Sequence, residues 1–124
     1  MFAKVTLWIL GLSFIFFGGW ALFAPASLAA LIQFSLNNAV ATTEMRAFYG
    51  GVELGLGALL ILGAVKPDLQ RGALLAGALI LGCLALSRTF GLILDSSASF
   101  FILSALAVEI VGCAACVWAL RNSA

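Results

Sequence analysis

Residues 43–65 read TEMRAFYGGVELGLGALLILGAV. Crossing the hydrocarbon core of a bilayer takes about 20 predominantly apolar residues in a helix, and this run is long enough. Yet it contains Arg46 and Glu53. A charge at the centre of a membrane helix costs roughly 2.5–3.5 kcal/mol on insertion scales. A helix that keeps Glu53 at that depth must turn it toward other helices. The stretch therefore predicts a spanning helix and, with it, a bundle of partners.

The rest of the chain supplies those partners. It is 65% hydrophobic and 9% charged, with a mean hydropathy of +1.23. Soluble domains carry about 25% charged residues, and a soluble chain of 124 residues cannot enclose this much apolar surface. Three further segments pass the length test, which places spans at about 5–24, 43–65, 72–94 and 97–120. The predicted fold is all-α: a polytopic membrane protein, one domain over residues 1–124, built as a four-transmembrane-helix antiparallel bundle. The brief links Lys66–Arg71 and Asp95–Ser97 force antiparallel neighbours. The longer link Pro25–Thr42 holds an apolar piece too short to span. Pro25 suits a helix start and Asn37-Asn38 reads as a stop or turn, so a short interfacial helix is expected there.

The first segment has some features of a signal peptide, with Lys4 as a basic flank and Ala24-Pro25-Ala26 as an A-x-A-like site. Its apolar stretch exceeds the usual length of about 7–15 residues, and Pro25 sits within the site. It reads as a retained helix. Lys4, Lys66, Arg71 and Arg121 share one end of the antiparallel arrangement. The positive-inside rule then puts both termini in the cytoplasm, and a bacterial inner membrane is the expected setting.

Composition also excludes several chemistries. There is no histidine, the residue on which most zinc, copper and non-haem iron sites depend and the usual general base. No metal or cofactor is expected. A net charge of +1 offers no field for nucleic acid. Cys83, Cys113 and Cys116 all fall in apolar segments, where cysteine packs as a small hydrophobe. Cys113-x-x-Cys116 has redox spacing, but it lies toward the C-terminal end of its helix, where the dipole disfavours a thiolate. Trp8, Trp20 and Trp118 lie near segment ends and read as interfacial anchors.

Projected at 100° per residue, Arg46, Tyr49, Gly50, Glu53, Gly57 and Leu60 form one stripe of the second span. Gly51, Gly55, Ala58 and Leu62 form the opposite one. The Gly51/Gly55 pair is a GxxxG motif, which predicts close helix packing on that side too and a central position for the span. Arg88 lies on an inward stripe of the third span and Glu109 on one of the fourth. The helical rise puts Arg46 about 5 Å, Arg88 about 10 Å, Glu53 about 15 Å and Glu109 about 18 Å below the outer surface. Two arginines balance two carboxylates, which makes burial tolerable. Arg88 is expected to pair with Glu53, with Tyr49 or Glu109 completing the group.

The run Glu44-Met45-Arg46-Ala47-Phe48-Tyr49-Gly50-Gly51-Val52-Glu53-Leu54-Gly55, with the later Arg88-Thr89-Phe90-Gly91 and Asp95, resembles a small bacterial four-helix membrane family catalogued as a domain of unknown function, loosely similar to DoxX-like proteins. Many members follow the aspartate with glycine; here Ser96 stands there. The resemblance covers nearly the whole chain and implies the same four-helix architecture. It singles out Glu44, Arg46, Tyr49, Gly50, Gly51, Glu53, Arg88 and Asp95, and implies no activity.

The candidate ligand-binding residues are Arg46, Tyr49, Glu53, Arg88 and Glu109, supported by Glu44, Gly50 and Asp95. No catalytic nucleophile and base stand at a suggestive spacing. The leading expectation is a non-enzymatic protein that binds membrane lipid or another small amphipathic ligand, or an accessory subunit in a homo-oligomer or larger membrane complex. A proton-coupled carrier using Glu53 and Glu109 as a relay is the second reading. An intramembrane isomerase or oxidoreductase acting on a lipid or quinone is the third.

Overall fold

The computed structural model describes residues 1–122. The elements are α1 (Phe2–Phe23), α2 (Pro25–Leu31), α3 (Ala39–Met45), a π-helical segment (Arg46–Val52), α4 (Glu53–Val65), α5 (Pro67–Asp95) and α6 (Phe100–Asn122). Helix α3, the π segment and α4 are continuous, so four helices are long and apolar enough to cross a membrane: Phe2–Phe23, Ala39–Val65, Pro67–Asp95 and Phe100–Asn122. They pack as a ring. α1 lies on the π segment and α4, α4 on α5, α5 on α6, and α6 returns to α1.

Helix ends fall where side chains satisfy the backbone. Asn38 does not stop the preceding helix, as its pairing with Asn37 suggested. Its Oδ1 accepts from the Ala41 N–H at 2.9 Å and caps the start of α3, satisfying a donor that the first helical turn leaves without a partner. The second span thereby begins at Ala39, ahead of the expected position. α2 ends instead at Ile32–Gln33, where Gln33 has φ 58. Pro67 occupies the first turn of α5. A missing N–H costs nothing at that position, so the helix starts directly after Lys66 and most of the expected link is helical. α5 ends on Ser96, which adopts the left-handed conformation at φ 49, ψ 38. Glycine takes that conformation without the steric cost a Cβ carries, a cost that Ser96 bears here.

Two glycine pairs set the α1–α4 contact. A Cβ on Gly57 would lie 2.9 Å from the Gly11 carbonyl oxygen and from the Ile15 nitrogen. A Cβ on Gly18 would lie 2.9 Å from the Gly50 carbonyl oxygen and from the Leu54 nitrogen. Both pairs, Gly11/Gly18 and Gly50/Gly57, are spaced by two helical turns, which keeps each pair on one face. Here the structure corrects the expectation for the second span. Its close-packing face is Gly50/Gly57, not Gly51/Gly55. Gly51 and Gly55 are exposed, and a Cβ on Gly55 would meet nothing within 4 Å. The span is a member of the ring, with α1 and α5 beside it, rather than its centre.

The buried apolar side chains divide into two groups. The larger, toward the end that holds both described termini, includes Leu7, Leu10, Leu56, Leu60, Leu74, Leu81 and Cys116. The smaller joins Ala21 of α1, Leu28 and Ala29 of α2 and Met45 of α3. α2 is therefore tucked against the bundle's other end, and the indole N–H of Trp20 donates to Ser27 Oγ at 3.3 Å across the α1–α2 corner. On α5 no residue after Leu81 is buried, and on α6 none before Glu109. The distal half of the α5–α6 hairpin thus has no buried core of its own.

Candidate intramembrane polar site

Arg88 of α5 and Glu109 of α6 form the site's fixed element. Arg88 Nε donates to Glu109 Oε1 at 3.1 Å and Oε2 at 3.0 Å, and Nη2 donates to Oε1 at 2.7 Å. This is the planar fork-to-carboxylate geometry that only arginine supplies. The side chains are 24% and 8% exposed respectively. Glu109 is enclosed, while Arg88 keeps an open side. Nη1 has no acceptor among the described residues. The Arg88–Glu109 pair lies where the buried part of α6 begins, one turn before Gly112. A Cβ on Gly112 would fall 2.8 Å from Leu81 and 3.2 Å from Leu10, so α1, α5 and α6 converge immediately beside it.

The structure gives Arg88 the partner that depth alone did not choose. No hydrogen bond or ion pair within 4 Å joins Arg88 to Glu53 among the described residues. Glu53 opens α4, is half-buried, and its Cβ faces Gly18 of α1 at close range. Its carboxylate has no hydrogen-bond partner among the described residues. Tyr49 is exposed and its ring lies 6.4 Å from that of Phe34 in the α2–α3 link. It is also near enough to Arg88 to interact with it electrostatically. Arg88 and Glu109 are thus joined across two spans, with Tyr49 of the second span in electrostatic range of Arg88, while Glu53 stands toward α1.

Arg46 does not join them by hydrogen bond. Its Nε donates to the Leu22 carbonyl at 3.1 Å, one of the carbonyls the end of α1 leaves without a helical partner. A cation there also complements the helix dipole. Gly50 is buried against Leu22, and its role is contact. Glu44 is exposed on α3. Asp95 ends α5, exposed, with its carboxylate 3.7 Å from where a Cβ on Gly91 would lie. Sequence reasoning missed Phe34 as the neighbour of Tyr49 and Gly18 as the neighbour of Glu53. The repeated seven-residue glycine spacing was the available signal for the second.

The second span passes through its π segment here. Its i→i+5 bonding makes a wider turn than the α-helix. Across it Arg46 reaches the Leu22 carbonyl, Gly50 packs on Leu22 and Glu53 faces Gly18, so these three meet α1, while Tyr49 lies by Phe34. π segments inside α-helices are frequent at functional sites. This one carries Arg46, Tyr49 and Gly50.

Cys113 and Cys116 are free thiols used in packing. Cys113 Sγ donates to the Ala78 carbonyl at 3.3 Å, and Cys116 is fully buried. Among the described residues there is no cluster of three metal-ligating side chains.

No curated protein and no solved structure matches the chain. A family model does match it over residues 2–120, a range that includes every residue of the polar site. The chain belongs to the family defined by DUF4345, a domain of unknown function.

Proposed function

We propose that this membrane protein binds a small amphipathic or lipid-like ligand whose acidic or carbonyl group meets Arg88, with Tyr49 beside it. The observation that carries the reading is the state of the Arg88 guanidinium. Glu109 holds it through Nε and Nη2, while Nη1 is left to an acceptor from outside the chain. A buried ion pair needs its remaining protons satisfied to be tolerable. Ligand sites of this type are mostly apolar with a few convergent polar groups, and the distal half of α5 and α6, without buried residues, leaves an apolar body room beside the pair. Native mass spectrometry of detergent-extracted protein, followed by lipid extraction, tests it. Wild-type protein should carry a small-molecule adduct that the double variant Arg88→Leu/Glu109→Leu lacks. If every adduct of wild type appears at equal occupancy on the double variant, so that none depends on Arg88 and Glu109, or if wild type carries none, the reading fails.

The half-buried Glu53 carboxyl, without a hydrogen bond among the described residues, supports a proton-coupled carrier as the second reading. Proton uptake by reconstituted vesicles that disappears in Glu53→Gln would move the assignment there.

For orientation, the end holding Lys4, Lys66, Arg71 and Arg121 is the cytoplasmic one under the positive-inside rule, in a bacterial inner membrane. A reporter fused after Ala124 should register cytoplasmic and one inserted at Asn37-Asn38 periplasmic. The reverse pattern overturns the assignment.

A further inference from the structure

The outer surface toward the basic end of the bundle carries a second feature. A groove of about 560 Å³ runs between α5 and α6, and its lining is almost wholly apolar. Gly82, Ala85 and Ala114 leave it hollow because they present little or no side chain. On α6 the lining runs from Ile110 to Arg121, about three turns or about 16 Å at the helical rise. Trp118 and Arg121 lie at its basic end. Arg121 is exposed and has no hydrogen bond or ion pair among the described residues. Trp118, half exposed, is held by an edge contact with Phe2 at 4.3 Å between ring centroids.

Across Trp118 lies a second, more polar pocket lined by Lys4, Gln70 and Asn122. Lys4 also lacks an acidic partner among the described residues. Among the described residues Asp68 is the one acid at this end, and it lines neither space. An open apolar groove of chain-like length therefore ends at an interfacial tryptophan and at cations without an acidic partner among the described residues. An aromatic belt residue beside a basic side chain is the arrangement that meets a lipid headgroup.

We propose that this groove seats one acyl chain of an anionic phospholipid, with the lipid phosphate at Arg121 and Trp118 at the level of the headgroup. Arg121 lies about 18 Å along α6 from Glu109, so the headgroup position is distinct from the Arg88 site. The groove takes a bilayer lipid from the leaflet at the basic end, and neither Arg88 nor Glu109 lines it.

The test uses full-length protein in detergent micelles doped with phosphatidylglycerol or phosphatidylcholine, read by native mass spectrometry. Wild type should retain phosphatidylglycerol about fivefold better than phosphatidylcholine, the preference one basic residue near an anionic lipid supplies. Arg121→Gln should lose that preference while keeping a residual adduct of both lipids. Ala114→Phe, a change at an exposed position, should fill the groove and reduce adducts of both lipids. Arg88→Leu/Glu109→Leu should leave this preference unchanged, so the two sites fail independently. Equal retention of the two lipids by wild type overturns the proposal. So does an Arg121→Gln protein that keeps the preference. Displacement of the bound lipid by inorganic phosphate alone would show an anion site without a chain, and a dimer lost on Ala114→Phe would show a second copy in the groove; either result overturns it as well.

Discussion

Gly57→Ala should lower the thermal unfolding temperature in detergent clearly, and Gly57→Leu should prevent native assembly. The added Cβ would lie 2.9 Å from the Gly11 carbonyl oxygen and the Ile15 nitrogen. Both are backbone atoms of a packed helix, which cannot swing aside as the end of a flexible side chain can. Overpacking of this kind costs about 1–3 kcal/mol for small additions and more for large ones. The expected size is large because helix association in lipid rests on close van der Waals approach, with no hydrophobic force between helices to replace it. The control is Gly55→Ala, two positions away, where a Cβ would meet nothing within 4 Å. There the better helix propensity of alanine, about 1 kcal/mol over glycine in soluble helices, should leave the protein unharmed or slightly more stable. Equal unfolding temperatures for Gly57→Ala and wild type would contradict the close α1–α4 packing.

Arg88→Ala should be the most damaging single change at the polar site. Glu109 is enclosed, and removing its forked partner leaves a buried carboxylate alone. Breaking a buried pair from one side costs about 3–5 kcal/mol. Replacing both members by apolar residues removes the unpaired charge, so Arg88→Leu/Glu109→Leu should unfold at a higher temperature than Arg88→Ala. Arg88→Lys should fall between wild type and Arg88→Ala, because an ammonium keeps the charge and loses the two-point geometry. Scanning calorimetry of the four proteins in one detergent gives the order directly. If Arg88→Ala unfolds with wild type, the pair contributes nothing to stability.

The four spans and the helix at Pro25 were legible in the sequence because length, hydropathy and proline position act locally. Arg88 was legible as an inward-facing residue with a carboxylate partner, since a lone charge in a membrane segment has few other stable solutions. Its choice of Glu109 over Glu53 was not. Depth along a helix follows from the rise, but which helices adjoin depends on how the ring closes, and the ring brings α5 and α6 together as immediate neighbours. The projected stripe of Arg46, Gly50, Glu53 and Gly57 does lie on one side of the span, and that side meets α1 rather than Arg88. The glycine faces failed for a different reason. GxxxG spacing at Gly51/Gly55 is a familiar packing signal, and it masked the two-turn spacing shared by Gly11/Gly18 and Gly50/Gly57, which is where the backbones meet. Arg46 shows the same limit. Its place near the second span's start was readable, but its use as a cap on α1 depended on where α1 ends.

The meeting of Leu10, Leu81 and Gly112 has a mechanical meaning. It clamps the α5–α6 hairpin at mid-length, and the part beyond, out to the turn between Asp95 and Phe100, is a cantilever of two helices braced mainly by each other. Arg88 and Glu109 bolt those two beams together just past the clamp. A load applied at the hairpin's tip, from a bound molecule or from bilayer thickness, is therefore delivered with the longest lever arm to the one ion pair found among the described residues.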